Sequence, residues 1–224
     1  MEHIFWAEKR KNGFFFSKEE LKHMSVVRVV FPNQILFTCG DGILHRGIAN
    51  KDGSVEDAEI VESSDKTGID ILFGVCDKSR ISYILEKCTE LGADSFTPLI
   101  TAKSEKYSLS ESKAERIIVS ALKQSRRFTM PEYRTPIKLK DIAADGSTQL
   151  IFGSIKENRR KINLTKSRIS LLIGPPLGFT EEEENFLIEK EAEPFHFDTG
   201  ILRTETFAHS LLSIVHYLKA VKNG

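Results

Sequence analysis

What this chain lacks narrows it first. Only three cysteines occur in 224 residues, Cys39, Cys76 and Cys88, far apart and in mostly apolar company. An odd count without CxxC spacing offers neither a disulfide framework nor a zinc motif, and reads as small buried hydrophobes in a reducing compartment. The six histidines show no HExxH or similar spacing, so no metal ion is expected. No apolar run is long enough to span a bilayer, so no membrane partner is expected. The opening MEHIFWAEKRKNG meets an acid at once and has no apolar stretch before a small-residue cleavage site. A secretory signal is therefore not expected, and the location reads as cytoplasmic. Net charge is missing too: 32 Lys and Arg balance 32 Asp and Glu.

The common catalytic signatures are equally absent. The first strand of the second half runs into CDKSR, without GxGxxG or GxxxxGK[ST], which weighs against a dinucleotide or P-loop enzyme. There is no GxSxG elbow and no Ser-His-Asp grouping.

What is present falls into two parts. Residues 1–70 carry short apolar or alternating runs (HIFWA, GFFF, VVRVVF, QILFTC, ILHRGIA, VEDAEIV) broken by turn signals at NG, PN, GDG and KDG. Such spacing predicts a small β-barrel or sandwich. Ser17 and Glu20 fit a capping box for a short helix over SKEELKHM.

Residues 71–224 alternate strand and helix. ILFGVC, SFTPLI, QLIFG, ISLLIG and PFHFD read as strands over 71–76, 95–100, 149–153, 169–174 and 194–198. Ile81, Ile84, Leu85, Cys88 and Leu91 form one helical stripe ended by Gly92. Further helices are expected after Ser110, over 181–191 with a Thr180/Glu183 capping box, and over 204–219. This pattern predicts a mostly parallel sheet covered on both faces, an α/β domain of about 150 residues.

Ligands of open α/β sheets bind at the carboxyl ends of strands. Here the glycine loops are late, GPPLG after ISLLIG and DTGILRTET after PFHFD. Pro175 and Pro176 stiffen the first loop, and Gly174 permits close backbone approach. Arg203 and Glu205 place charge beside the second; an Arg at a helix N-terminus suggests a ligand or a carboxylate partner. Residues 102–140 hold ten Lys and Arg against four acids, a local field able to steer a polyanion, or a solvated helix face with ion pairs.

LEKCTELGADSFTPLITAKSE, ALKQSRRFTMPEY, LLIGPPLGFTEEE and GILRTETFA, in this order, resemble the bacterial 16S ribosomal RNA uridine-N3 methyltransferase family of the SPOUT class. The opening HIFWA…LKHMSVVRV is similar to that family's start, so the resemblance covers nearly the whole chain. It implies a PUA-like RNA-binding β-barrel over residues 1–70. It also implies a trefoil-knotted α/β methyltransferase domain over 71–224, S-adenosylmethionine as cofactor, and a homodimer acting on 16S ribosomal RNA or the small ribosomal subunit. Leu172, Gly174, Ile201 and Leu202 would contact the cofactor largely through backbone. Phe197 and Asp198 would line the adenosine pocket, and Thr204, also a cofactor contact, would face the reacting centre with Arg203 and Glu205. Arg203 and Glu205 would serve catalysis, Arg203 by stabilising the uracil anion and Glu205 by orienting Arg203 or accepting the proton. Gln124 and Arg127 match a Gln-Ser-x-Arg motif that forms the site or holds RNA, with Lys103 and Arg126 as phosphate contacts.

The chain departs from the family pattern in both loops. Gly-Pro-Pro-Leu-Gly replaces Gly-Pro-Glu-Gly-Gly, and Phe197-Asp198 stand where Leu-Gly is usual. Lys103 replaces an Arg and Lys123 an acid. These changes keep open a second reading, a degenerate SPOUT-fold RNA-binding relative with weak or lost cofactor binding. An unrelated small-molecule α/β enzyme is a third.

Overall fold

The computed structural model describes residues 3–107, 109–143, 146–155, 161–198 and 200–223. The chain packs as two compact units: Met1–Lys66 together with Val119–Met130, and Thr67–Ile118 together with Pro131–Gly224. The first unit therefore recruits a segment that the sequence reading assigned wholly to the second half.

The first unit contains β1 (Ile4–Trp6), β2 (Glu8–Arg10), β3 (Gly13–Phe15), α1 (Lys18–Val26), β4 (Asn33–Thr38), β5 (Ile43–Ala49) and β6 (Val55–Ser63). Four strands form a sheet in the order β1, β4, β5, β6, with β1 parallel to β4 and the other pairs antiparallel. β2 and β3 form a separate hairpin. Phe5, Phe16, Met24, Ile35 and Phe37 pack in the core of the first unit. β6 is a sheet edge and is largely exposed; its acids Glu56, Asp57, Glu59 and Glu62 suit an edge that must not pair with another chain.

Two expectations need correction here. VVRVVF is not a strand: Val26 closes α1, Arg28 takes a left-handed φ of 63°, and Val26 and Val30 are exposed. β-branched residues favour strands, but this run has no sheet neighbour. The Ser17/Glu20 capping box is half formed. Ser17 Oγ accepts from Glu20 N at 3.2 Å, whereas the Glu20 carboxylate accepts from Trp6 N at 2.9 Å and from Lys123 Nζ at 2.9 Å. A buried carboxylate takes the strongest donors within reach, and a lysine outbids the helix's own N-cap amide.

The second unit contains β7 (Ile69–Gly74), α2 (Lys78–Glu90), β8 (Ser95–Ile100), α3 (Glu111–Ser125, whose second half belongs to the first unit), β9 (Glu132–Tyr133) and β10 (Ile137–Lys138). Next come β11 (Thr148–Gly153), β12 (Arg168–Ile173), α4 (Glu181–Glu189), β13 (Glu193–Phe195) and α5 (Thr204–Asn223). Its strands run in the order β10, β8, β7, β12, β11, β13, with β9 also beside β8, and every pairing is parallel. Parallel strands are buried on both faces, and all six residues of β7 are buried. Truncating Phe73, which has no exposed surface, would cost about 3–5 kcal/mol.

The first strand of this unit lies two residues earlier than ILFGVC predicts. Val75 and Cys76 are buried without belonging to it, so hydrophobicity overran the strand. PFHFD likewise ends as a strand at Phe195. Among the described residues no helix is long and apolar enough to cross a membrane.

Candidate functional site

The strand order reverses direction between β7 and β12, and residues that follow β11, β12 and β13 line one cleft. The loop after β12 is a closed turn. Gly178 N donates to Pro175 O at 2.8 Å, and Gly178 has a φ of 68°. Proline in the second place and glycine in the fourth are favoured in the commonest β-turn. Pro175 approaches β7 so closely that a Cβ on Gly74 would lie 2.4 Å from its nitrogen.

The turn is braced from the segment after β8. Lys103 Nζ donates to Leu177 O at 3.0 Å and to Phe179 O at 3.2 Å. Ala102 N donates to Glu183 Oε1 at 2.7 Å, while Glu183 Oε2 accepts from Thr180 N at 2.9 Å and completes the predicted capping box. Lys103, expected to hold phosphate, thus donates to two carbonyls, one in the turn and one just after it.

Between this turn and the start of α5 lies a cleft of about 230 Å³. Of the residues expected to hold a cofactor, Gly174, Phe197, Ile201, Leu202 and Thr204 line it. Leu172 and Asp198 are not among its lining residues. Leu172 is wholly buried among Leu72, Leu99 and Phe152 in the sheet core, and Asp198 is exposed. Phe197 meets Phe195 and Phe207 edge-on at 5.0 and 5.2 Å, which gives the cleft an aromatic wall. Gly153 lets Phe207 lie against β11, since a Cβ there would stand 2.7 Å from its ring. Leu177 and Ile201 line the mouth and are 74% and 82% exposed, apolar surface that a flat ligand would cover.

Arg203 is exposed and has no side-chain partner among the described residues. Glu205 turns away from it: Glu205 Oε2 is buried, makes no hydrogen bond among the described residues, and lies 3.9 Å from Arg80 Nε. Arg80 also meets Asp77 at 3.0 Å, and Asp77 caps α2 by accepting from Ser79 N and Arg80 N. The Ser79 hydroxyl, above all, holds the Asp77 carboxyl below the usual range. Burial, reinforced by the Asp77 charge, pushes the Cys76 thiol up to about 12, so it is no nucleophile at neutral pH.

Gln124, Arg126 and Arg127 stand at the carboxyl end of α3, within the first unit. Gln124 and Arg126 are exposed, Arg127 is half-buried, and Arg126 takes a φ of 56°. The basic stretch is less free than its composition suggests. Lys103 and Lys123 are engaged as described, and Arg134 holds Glu132 at 2.9 Å.

Sequence reading missed Arg80, Gly153, His196 and Phe207. His196 and Phe207 also line the cleft, and His196 Nδ1 lies 3.1 Å from Ser154 O. The FHF spacing beside the late loop was the available signal for His196; Arg80, more than a hundred residues from Glu205 in sequence, left none.

A family model described as an RNA methyltransferase domain matches residues 63–216. The chain is 28% identical over 231 residues to a Ribosomal RNA small subunit methyltransferase E of Aquifex aeolicus (strain VF5), across 95% of this chain and 98% of that one. It resembles the crystal structure of a Ribosomal RNA small subunit methyltransferase E from Neisseria gonorrhoeae bound to S-adenosyl methionine, with TM-score 0.81 and 21% identity over 97% of this chain and 98% of that one. A probable rRNA-methyltransferase from Porphyromonas gingivalis gives TM-score 0.83 and 22% identity over 98% and 99%. The two structural likenesses speak to the fold.

Proposed function

The chain belongs to the RNA methyltransferase domain family, and from that premise we propose that it methylates N3 of a uridine in 16S ribosomal RNA with S-adenosylmethionine. The observation that carries this reading is the cleft between the Pro175–Gly178 turn and the N-terminus of α5. Its residues fit such a cofactor. Phe197, Phe207, Leu177 and Ile201 offer apolar faces to an adenine ring. The first amides of α5, starting at buried Thr204, offer donors and a partial positive charge to a carboxylate.

When bound, S-adenosylmethionine supplies a methyl group already activated on a sulfonium. The chain's own contribution is then positioning and charge. Arg203, exposed between two cleft-lining neighbours, stabilises the negative charge that uracil acquires when N3 loses its proton. Glu205 is assigned a positioning role, because its buried oxygen faces Arg80 and thereby ties the start of α5 to α2. Pro176 and Leu177 do not disable the loop on this reading: the turn closes and Leu177 points outward.

The proposal extends to the rest of the molecule. The first unit, as a PUA-like domain with Gln124, Arg126 and Arg127, holds RNA through phosphate contacts. The target base is splayed out of its stack. The second unit carries the trefoil knot, and two chains act as a homodimer in the cytoplasm. The test is methyl transfer from labelled S-adenosylmethionine to small ribosomal subunits, or to free 16S RNA, that lack the modification. Digestion and chromatography should give 3-methyluridine. Label in another nucleoside would overturn the N3 assignment, and none in either substrate would favour the degenerate reading.

A further inference from the structure

We propose that the first unit holds a thiophilic divalent metal ion, zinc, on Cys39 Sγ, Asp41 Oδ1 and His45 Nε2, with solvent in the fourth position. The three side chains bring their donor atoms within 4.8 Å of one another. Their spacing, C-x-D-x3-H, matches none of the familiar zinc patterns. The fold assembles them by turning the chain between β4 and β5.

That turn is fixed rather than loose. Gly40 and Gly42 have φ of 82° and 87°. A Cβ at Gly40 would lie 2.7 Å from both the Trp6 ring and Met130. Gly40 N donates to Thr38 Oγ1 at 3.1 Å, Gly40 O accepts from Met130 N at 2.9 Å, and Gly42 N donates to Phe128 O at 2.9 Å. Cys39 and Asp41 are therefore presented from a braced backbone.

His45 supplies the second, independent observation. Its residue is 6% exposed, and Nε2 is buried without a hydrogen-bond partner among the described residues. A buried polar nitrogen left unsatisfied is costly and calls for an explanation. The ring is stacked on Phe37 at 5.1 Å and 16°. β5 shifts register between Leu44 and His45, and such irregularities re-aim side chains. The outcome is Nε2 pointing at Asp41 Oδ1, 3.9 Å away.

Asp41 divides its oxygens. Oδ2 faces Lys9 Nζ at 3.6 Å, and Oδ1 faces His45 while accepting from Ile43 N at 3.3 Å. Outer contacts of this kind orient a ligating carboxylate. Thiolate, imidazole and carboxylate are zinc donors at about 2.0–2.3 Å, so the three side chains need close by only about 1 Å. A thiolate disfavours magnesium and calcium. The Cys39 thiol gives up its proton to solvent as the sulfur–metal bond forms.

The test titrates the full chain, stripped with chelator, with Co²⁺ and then Zn²⁺. One cobalt per chain should give a near-ultraviolet sulfur-to-metal charge-transfer band, displaced by one equivalent of zinc. Cys39→Ser should lose the band, and Asp41→Asn, an isosteric change, should weaken binding at least tenfold with unaltered circular dichroism. His45→Gln should do the same if it folds; the other two variants decide the matter if it does not. Absence of the band at saturating cobalt overturns the proposal. So does a band that survives in Cys39→Ser, which would put the ion on Cys76 or Cys88, or binding unchanged in Asp41→Asn.

Discussion

Lys103 and Leu177 are joined by a 3.0 Å bond from an ammonium to a backbone carbonyl across 74 positions of sequence. The lysine stands after β8 and the carbonyl in the turn after β12, so one side chain fixes the wall of the proposed cofactor cleft. Removing it in Lys103→Met frees the Leu177 and Phe179 carbonyls. A charged hydrogen bond at this exposed site is worth about 1 kcal/mol, so cofactor affinity by calorimetry should fall about fivefold. Lys103→Arg should recover part of it.

Gly153→Ala tests the aromatic wall. The added Cβ would meet Phe207 at 2.7 Å, and the ring must swing toward the cleft. Overpacking of this kind costs about 1–3 kcal/mol of stability. Cofactor binding should fall more steeply than the melting temperature does, read by calorimetry and thermal denaturation on one sample.

Arg203 and Glu205 should separate cleanly in kinetics. Arg203→Ala should lower kcat by about 10²–10³, as loss of an electrostatic stabiliser does. Glu205→Gln should stay within about tenfold of wild type, because a positioning carboxylate loses less than a general base, whose removal costs about 10²–10⁴. A larger loss in Glu205→Gln would make Glu205 the proton acceptor.

Lys123→Met strips a buried carboxylate of its cation. Glu20 would keep Trp6 N at 2.9 Å but lose both ammonium contacts. Allowing for the partial exposure of Lys123, the first unit should lose about 2 kcal/mol, measured by chemical denaturation; Lys123→Met with Glu20→Gln should recover much of it.

Acid should weaken the second unit through His209. Burial first, and then the Lys87 charge, hold this imidazole below the ordinary histidine value of 6.5. The folded chain binds fewer protons there than the unfolded chain, so stability rises with pH. The contribution is complete above that ordinary value and declines as pH falls from it toward the depressed folded value. Denaturation midpoints should drop further between pH 7.5 and 5.5 in wild type than in His209→Gln.

Local pattern made much of this fold legible. SFTPLI is β8 residue for residue, ILHRGIA is β5, and Thr180 with Glu183 forms its capping box. Each depends on neighbours within a few positions. The failures have long-range causes. VVRVVF has strand propensity but no partner strand, and Glu20 answers to Trp6 and Lys123 instead of its own helix. The late glycine loops pointed to the cleft, and five expected cofactor residues line it. Leu172 is buried in the sheet core and Asp198 is exposed, and neither lines the cleft. Arg80 and Lys103 acquired their partners only through strand order, which hydrophobic periodicity does not encode.

The most direct test of the account is calorimetric titration of the purified chain with S-adenosylmethionine and S-adenosylhomocysteine. Saturable binding of both, at one per chain or one per dimer, is the predicted result. No heat of binding at millimolar cofactor from a folded protein would contradict it and leave an RNA-binding relative that no longer methylates.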